Sequence, residues 1–559
     1  MSIRSPFPDT FTLVKTVRTG LNPQMFFLVF LTVSLSFHSA FSQSTFQRTY
    51  GKDTVDYCRS VRQTNDDGYI MVGVTERVID GVFEDTYLIK TDENGDTLWI
   101  KALGGDLPEN GSYSVQQTND NGYIITGVTY GYWGPMDHFD ISLIKTNENG
   151  DTLWTKSYGG TDDEYGYSIE QTIDGGYIIC GITNSFGAGN RDVYLIKTDW
   201  NGDTLWTRTY GGADSDFGLV VQPTTDLGYI IVGHTKSFGA GNYDIYLIKT
   251  DIIGDIQWTK TYGGTEYENG SSVQQTSDGG YIIAGSTYSF GAGNGDVYII
   301  KTDENGDTLW TRTYGGSNTD GGKSIEQTND GGYIIAAGTS SFGAGSKDVY
   351  LIKTDKNGDT LWTKTYGSIG YESCESIQQT RDGGYIIGGH TTSFGARAYD
   401  FYLIKTDTEG NTGSCNEYRT NTVVKRTNTN IKTPTTLVSR GGSAHPTALK
   451  IFNSPTRDSV LCLEPAGFSD TNNFHDANNL RIYPNPNTGK FTIEMDVLEI
   501  QDLQITITNV LGQRICFDKV EKFMGTYKKK LDFNKYSKGI YHLQIKSVKG
   551  EINRQVICQ

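Results

Sequence analysis

Between residues 45 and 412 the chain repeats one alternation of apolar and polar segments. In the fifth copy it reads SSVQQT (271–276), YIIAGST (281–287), DVYIIKT (296–302) and TLWTRTY (308–314), separated by SDGG, YSFGAGNG and DENGD. The runs are six or seven residues of β-branched and aromatic character, and the gaps hold the Gly, Asn and Asp that tight turns need. No helical period competes, so each copy predicts four short strands. The tyrosine of the GYI segment recurs at Tyr69, Tyr123, Tyr177, Tyr229, Tyr281, Tyr333 and Tyr385, and tryptophan at Trp99, Trp154, Trp206, Trp258, Trp310 and Trp362. Seven copies of about 52 residues with four strands each predict an all-β, seven-bladed β-propeller. A β-solenoid is the rival architecture, but its coils repeat in roughly 20–30 residues.

The ends of the array carry a second signal. Copy seven has SIQQT (376–380), YIIGGHT (385–391) and DFYLIKT (400–406) and then no fourth strand, whereas an orphan strand, TFQRTYG (45–51), precedes copy one. Pairing that N-terminal strand into the last blade would close the ring and remove an exposed edge. The Asp-x-x-Gly-x-x-x-Trp hairpins, such as Asp303 to Trp310, resemble the repeats of quinoprotein-like propellers over most of residues 44–412. The resemblance implies the fold; the vicinal cysteines beside the quinone of such alcohol dehydrogenases are absent, and no cofactor is expected.

The remaining segments differ in kind. Residues 1–42 contain the apolar run Met25 to Phe37 behind Lys15 and Arg18, which reads as a leader and secretory signal cleaved near Ser42, with Met1 or Met25 as the start. About 13 apolar residues are short for a membrane span, and no later stretch is longer, so no transmembrane segment is expected in the mature chain. Residues 413–478 are rich in Thr, Asn and Ser and read as a linker or loosely structured extension. Cys415 and Cys462 bracket most of it, either as a staple or as two free thiols. Residues 479–559 alternate again, as a small C-terminal β-sandwich. Tyr483-Pro484-Asn485-Pro486 with Gly489, the turn at Asn509 to Gln513 containing Gly512, and Gly539-Ile540-Tyr541 closely resemble the type A C-terminal sorting domain of the Bacteroidetes type IX secretion system. That resemblance implies the type IX machinery as a partner and a secreted or cell-surface destination.

Charge sharpens this division. The whole chain carries −17, but residues 479–559 hold 13 basic and 8 acidic groups, while residues 43–412 hold 25 and 51, a net −26. A phosphate backbone would be repelled, so nucleic acid is excluded as a partner. Aromatics at 12% exclude a disordered chain.

Three sets of residues invite chemistry. Thirteen positions before each GYI tyrosine stand Asp56, Asn110, Glu164, Asp216, Glu268, Asp320 and Glu372, predicted to ring one mouth of the central channel, where they would attract a cation such as calcium or raise one another's pKa. Two positions before the YLIK tyrosine stand seven aspartates, Asp85 to Asp400, read as ties for the loop before the third strand. The Asp-x-Asn-Gly-Asp turns lose their Asn at Ile253 and read as plain hairpins. In the second copy the common SFGAG loop is replaced by YGYWGPMDHFD, which brings Tyr130, Tyr132, Trp133 and His138 to the same face as the acids, as exposed aromatics suited to a sugar or protein ligand. No nucleophile motif, phosphate loop or histidine pair at ligand spacing is present. These features predict a secreted or surface-attached, non-catalytic propeller that binds a glycan, protein or cation. The alternative is a polysaccharide hydrolase that uses propeller carboxylates.

Overall fold

The structure is a computed structural model. It describes residues 44–558 apart from 53, 79–81, 105–110, 131–137, 396–397, 414–415, 421–422, 427–429, 433–436, 440–442, 447–449, 454–456, 464–479, 484–489, 510–513, 537 and 548–549. The expected signal segment therefore lies outside it, as do the side chains of Cys415 and Cys462.

The described residues are strands and turns, without a helix. The first unit contains β2 (Asp56–Gln63), β3 (Tyr69–Val78), β4 (Val82–Thr91) and β5 (Thr97–Gly104), paired antiparallel in chain order. The same four-strand sheet recurs seven times. Burial follows position in the sheet: third strands such as Asp192–Thr198 are buried at every residue, while first strands such as Glu164–Gln171 alternate buried and half-buried. A strand covered on both faces reads as a continuous apolar run, and one with a wet face alternates. The seventh sheet takes its fourth strand from the other end of the chain, because β1 (Phe46–Gly51) pairs antiparallel with Asp400–Thr406.

One seam joins each sheet to the next. Tryptophan on the fourth strand lies over a turn glycine of the following sheet, and a Cβ at Gly254 would lie 2.8 Å from the Trp206 ring. That glycine has φ +79°, a conformation costly for other residues. Four residues after the tryptophan, Tyr210 Oη donates to the Gly254 carbonyl at 2.7 Å, and midway Arg208 meets Asp255 at 3.3 Å. The N-terminal strand reproduces all three contacts on the first sheet. Phe46 covers Gly95, Tyr50 Oη donates to Gly95 O at 2.6 Å, and Arg48 pairs with Asp96 at 2.8 Å. Further bonds join the seventh sheet to the first, from Asp56 N to Tyr399 O at 2.7 Å and from Gln63 N to Gln378 Oε1 at 2.8 Å.

The polar stretch read as a linker supplies a fifth, outer strand to every sheet. Glu417–Arg419 pairs with the sixth sheet, and successive short strands pair with the fifth, fourth, third, second and first. Arg457–Leu463 finally pairs with β1 in the seventh. Each strand is anchored by backbone bonds to an edge, which demands little of side-chain pattern and explains why periodicity did not reveal it. Residues 481–558 form a separate five-stranded sheet around Phe491, Ile493, Leu503, Ile505, Tyr541 and Leu543. Its two long strands, Lys490–Asn509 and Arg514–Asp532, shift register between Val497 and Leu503.

The six described members of the predicted acidic ring are buried at these seams rather than facing a common space. Glu164 is typical: its carboxylate accepts the Gly160 amide at 2.8 Å, the Thr183 hydroxyl at 2.6 Å and the Ser185 amide at 3.1 Å. Asp192, Asp244, Asp296 and Asp348 tie the loop before the third strand as expected, Asp192 accepting the Ala188 and Gly189 amides at 2.9 and 3.0 Å. The two sets converge on one glycine per seam. A Cβ at Gly367 would lie 2.2 Å from Asp348 Oδ1 and 2.5 Å from Glu372 Oε2, and Gly159, Gly211, Gly263 and Gly315 are flanked alike. Only glycine fits between the paired acids.

This pairing makes stability depend on pH. Burial, reinforced by Glu164 and Glu372 respectively, pushes Asp140 and Asp348 up to about 6. The fold thus holds protons that the unfolded chain releases above about pH 4, and this contribution is lost as pH rises from about 4 to about 6. The hairpin aspartates oppose it. Against partial burial, hydrogen bonds from Lys353 and Thr328 hold Asp330 at about 2, so its contribution is present above about pH 4 and is lost as pH falls toward 2. Thermal unfolding followed across pH should show a maximum near pH 4–5 and a decline toward pH 7, and Asp348→Asn should flatten that decline. At the seams, Gly254→Ala should lower stability by about 1–3 kcal/mol through positive φ and the Trp206 clash. Tyr210→Phe should cost about 1 kcal/mol, both read as midpoint shifts in denaturant.

Candidate functional site

The first strands of all seven sheets line one cavity of about 480 Å³. Each of these strands carries a β-bulge that leaves one residue out of register with the second strand, as between Cys58 and Ser60 or between Gly166 and Ser168. A bulge re-aims the side chain it ejects. The residues just before the common Ser position are Arg59, Tyr113, Tyr167, Leu219, Ser271, Lys323 and Glu375, and all seven line the cavity. The neighbouring position is nearly uniform, Ser60, Ser114, Ser168, Val220, Ser272, Ser324 and Ser376, and it knits the wall. Ser168 Oγ accepts the Val221 amide, and Ser272 and Ser324 accept those of Ile325 and Ile377, each at 3.3 Å. Uniform residues hold the scaffold, and variable residues face the space.

The variable set is polarised. Lys323 Nζ meets Glu375 Oε2 at 3.1 Å, and against its burial the Glu375 carboxyl is held below its ordinary value by Lys323 and then Arg59. Arg59 lies between two rings, its guanidinium carbon 5.6 Å from the centroids of both Tyr57 and Tyr113. Tyr113 meets Tyr167 edge to face at 5.1 Å, and Tyr165 stacks against Tyr167 at 6.3 Å. A run of charge and aromatic surface thus extends through the sixth, seventh, first, second and third sheets, and Leu219 and Ser271 line the same cavity from the fourth and fifth. Deeper carboxylates are committed to the wall. Glu170 accepts Gln116 Nε2 at 2.6 Å and lies 3.7 Å from Arg62, while Glu326 accepts the Gln379 amide at 2.5 Å; burial raises the pKa of both.

The residues expected from sequence lie elsewhere. Asp56, Glu164, Asp216, Glu268, Asp320 and Glu372 are the seam carboxylates, and Asn110 falls outside the described residues. Their burial leaves no acidic ring at a channel mouth, and among the described residues no group of three or more potential metal ligands comes together. His138 is buried, with Nε2 3.9 Å from Asp140 Oδ1, and Tyr130 packs edge to face on Phe139 at 5.1 Å. Tyr132 and Trp133 are not among the described residues. His234 and His390 sit in aromatic clusters, against Phe217 at 4.4 Å and Tyr57 at 5.0 Å, where burial lowers both to about 4. Of the sorting motif, Tyr541 is buried against Phe533 and Tyr483 is exposed, its hydroxyl on Glu494 at 2.5 Å. Gly539 opens the strand Gly539–Ser547, while Pro484, Asn485, Pro486, Gly489 and Gly512 lie outside the described residues. Sequence alone offered a signal for the cavity: a position with six residue types in seven copies beside one that is serine in six.

Comparison with known proteins separates the two ends of the chain. A curated relative, "Regulatory protein FlaEY" of Caulobacter vibrioides, is 26% identical over 172 residues, 26% of this chain and 18% of that protein. "Uncharacterized WD repeat-containing protein L264" of Acanthamoeba polyphaga mimivirus is 22% identical over 228 residues, covering 40% and 15%. The chain thus spans less than a fifth of the length of either relative. Among solved structures, one titled "Crystal structure of the eukaryotic initiation factor" covers 66% of this chain and all of its own at 10% identity and TM-score 0.31. A tetra-tandem repeat from the extending region of a large adhesion protein covers 85% of this chain and 96% of its own at 10% identity and TM-score 0.11. Neither likeness is close enough to carry an argument. Among the described residues no helix is long and apolar enough to cross a membrane. Residues 481–559 match the family described as "Secretion system C-terminal sorting domain", which marks the chain for export by type IX secretion to the cell surface or the extracellular space.

Proposed function

We propose that this chain is a secreted or surface-attached binding protein whose seven sheets are the blades of a closed propeller, and that its ligand sits in the central channel on the bulge residues. Repetition of the seam between the seventh and first sheets supports closure, as does a cavity lined by all seven first strands. In this reading residues 1–42 are a leader and signal, 43–412 the propeller, 413–478 an extension that girdles it, and 479–559 a small sandwich handled by the type IX machinery.

The observation that carries a binding role is the contrast between a position that is serine in six of seven copies and a bulge position with six different residue types in seven copies. A scaffold needs repetition, while a ligand needs asymmetry. Tyrosines beside charged groups, with hydroxyls and amides around them, suit a glycan or a polar segment of protein. The channel carboxylates are each paired or hydrogen-bonded, which favours recognition over general acid–base work.

On a glycan array, Tyr113→Ala with Tyr167→Ala should lower capture about 10-fold or more with an unchanged unfolding midpoint. Polysaccharide turnover abolished by Glu375→Gln or Glu170→Gln would instead establish the hydrolase. Deleting residues 479–559 should leave the chain in the periplasm, as cell fractionation would show, and unaltered export would refute the sorting role.

A further inference from the structure

The bulge ring contains one charge that its neighbours leave uncommitted. Lys323 and Glu375 neutralise each other at 3.1 Å. Arg59 makes no hydrogen bond or ion pair among the described residues, and its Nε is buried without a partner. The charged groups that act on it at longer range are Glu375, Glu84 and Lys323. A buried donor left unsatisfied is costly, and a ligand that accepts from it relieves that cost. The flanking Tyr57 and Tyr113 rings hold the guanidinium plane without consuming its donors, because a cation over a ring is attracted through the ring's π face.

We propose that the channel takes an acidic oligosaccharide, with a uronic acid carboxylate seated on Arg59 and its pyranose ring against Tyr113 and Tyr167. This inference rests on the binding role proposed above and narrows it to one ligand class. A guanidinium presents a planar fork that matches a carboxylate, and a charge-assisted pair is roughly twice as strong as a neutral one. The two tyrosines line the same cavity and offer flat apolar surface to a sugar face. Asn269, Ser271 and Gln274 line the same cavity and offer neutral polar groups for ring hydroxyls. A volume of about 480 Å³ falls in the range of small-ligand sites. The net −26 of residues 43–412 works against densely charged anions such as polyphosphates, whereas a sugar carrying one charge per residue gains more from the local pair than it loses to the distant field.

The test is calorimetric titration of the purified full chain with trigalacturonate, its methyl ester and triglutamate. Trigalacturonate should bind about 10-fold or more tightly than its ester. Arg59→Gln should abolish that preference by weakening acid binding far more than ester binding, and Arg59→Lys should restore part of it. Equal binding of acid and ester by the wild-type chain would overturn the proposal and leave the binding role intact, as would an unaltered preference in Arg59→Gln or triglutamate binding as tightly as trigalacturonate. Should Arg59→Gln fail to fold, the wild-type preference and its change in Arg59→Lys decide the matter. A folded chain that captures no glycan or protein of any class would overturn both.

Discussion

The structure depends on a contact between neighbouring sheets: an aromatic ring laid over a turn glycine at positive φ, with a tyrosine hydroxyl bonded to that glycine's carbonyl a few ångströms away. Trp206 and Tyr210 make it to Gly254, and Phe46 and Tyr50 make it to Gly95 from the opposite end of the chain. Four-stranded sheets of this size have two faces to cover and cannot do so alone. The seam covers them in register. Its cost is a set of buried carboxylates, which hold the seam loops through backbone amides while burial and a neighbouring carboxylate push Asp348 up to about 6.

Seen this way, residue frequencies that suggest chemistry prove to be architectural. The tryptophans that resemble quinoprotein repeats cover glycines, and the repeated acids that suggest a cation ring tie loops. A feature present in every sheet serves every seam equally. The bulge residues behave oppositely: Arg59, Tyr113, Leu219 and Glu375 share a backbone position and no chemistry, while the serine beside six of the seven knits the wall. Stability and recognition are thus assigned to adjacent residues of one strand, so the lining can change with little cost to the scaffold.

Much of the fold was legible because a strand's burial writes itself into side-chain period. The four strands per copy, the orphan first strand and the aspartate loop ties all follow from patterns of turn residues and apolar runs. The outer strands from 417 to 463 escaped because they are held by backbone pairing, and three or four residues carry no period. The acidic ring was misplaced for a different reason. Its position at the start of each first strand was read correctly, but whether a carboxylate there faces water or folds back onto amides depends on loop geometry that spacing does not contain. The cavity lining was encoded too, at a variable position whose meaning emerges only once the bulge shows which residue leaves the ladder.

The central claim is that seven bulge residues read the ligand on a scaffold that does not depend on them. Replacing Arg59, Tyr113, Tyr167, Leu219, Lys323 and Glu375 together by serine, the residue already present at Ser271, tests it in one protein. The account predicts that this chain unfolds at a midpoint close to that of the original and captures no ligand that the original captures. Undiminished capture would place recognition elsewhere on the molecule, and a collapsed fold would show that the lining belongs to the scaffold after all.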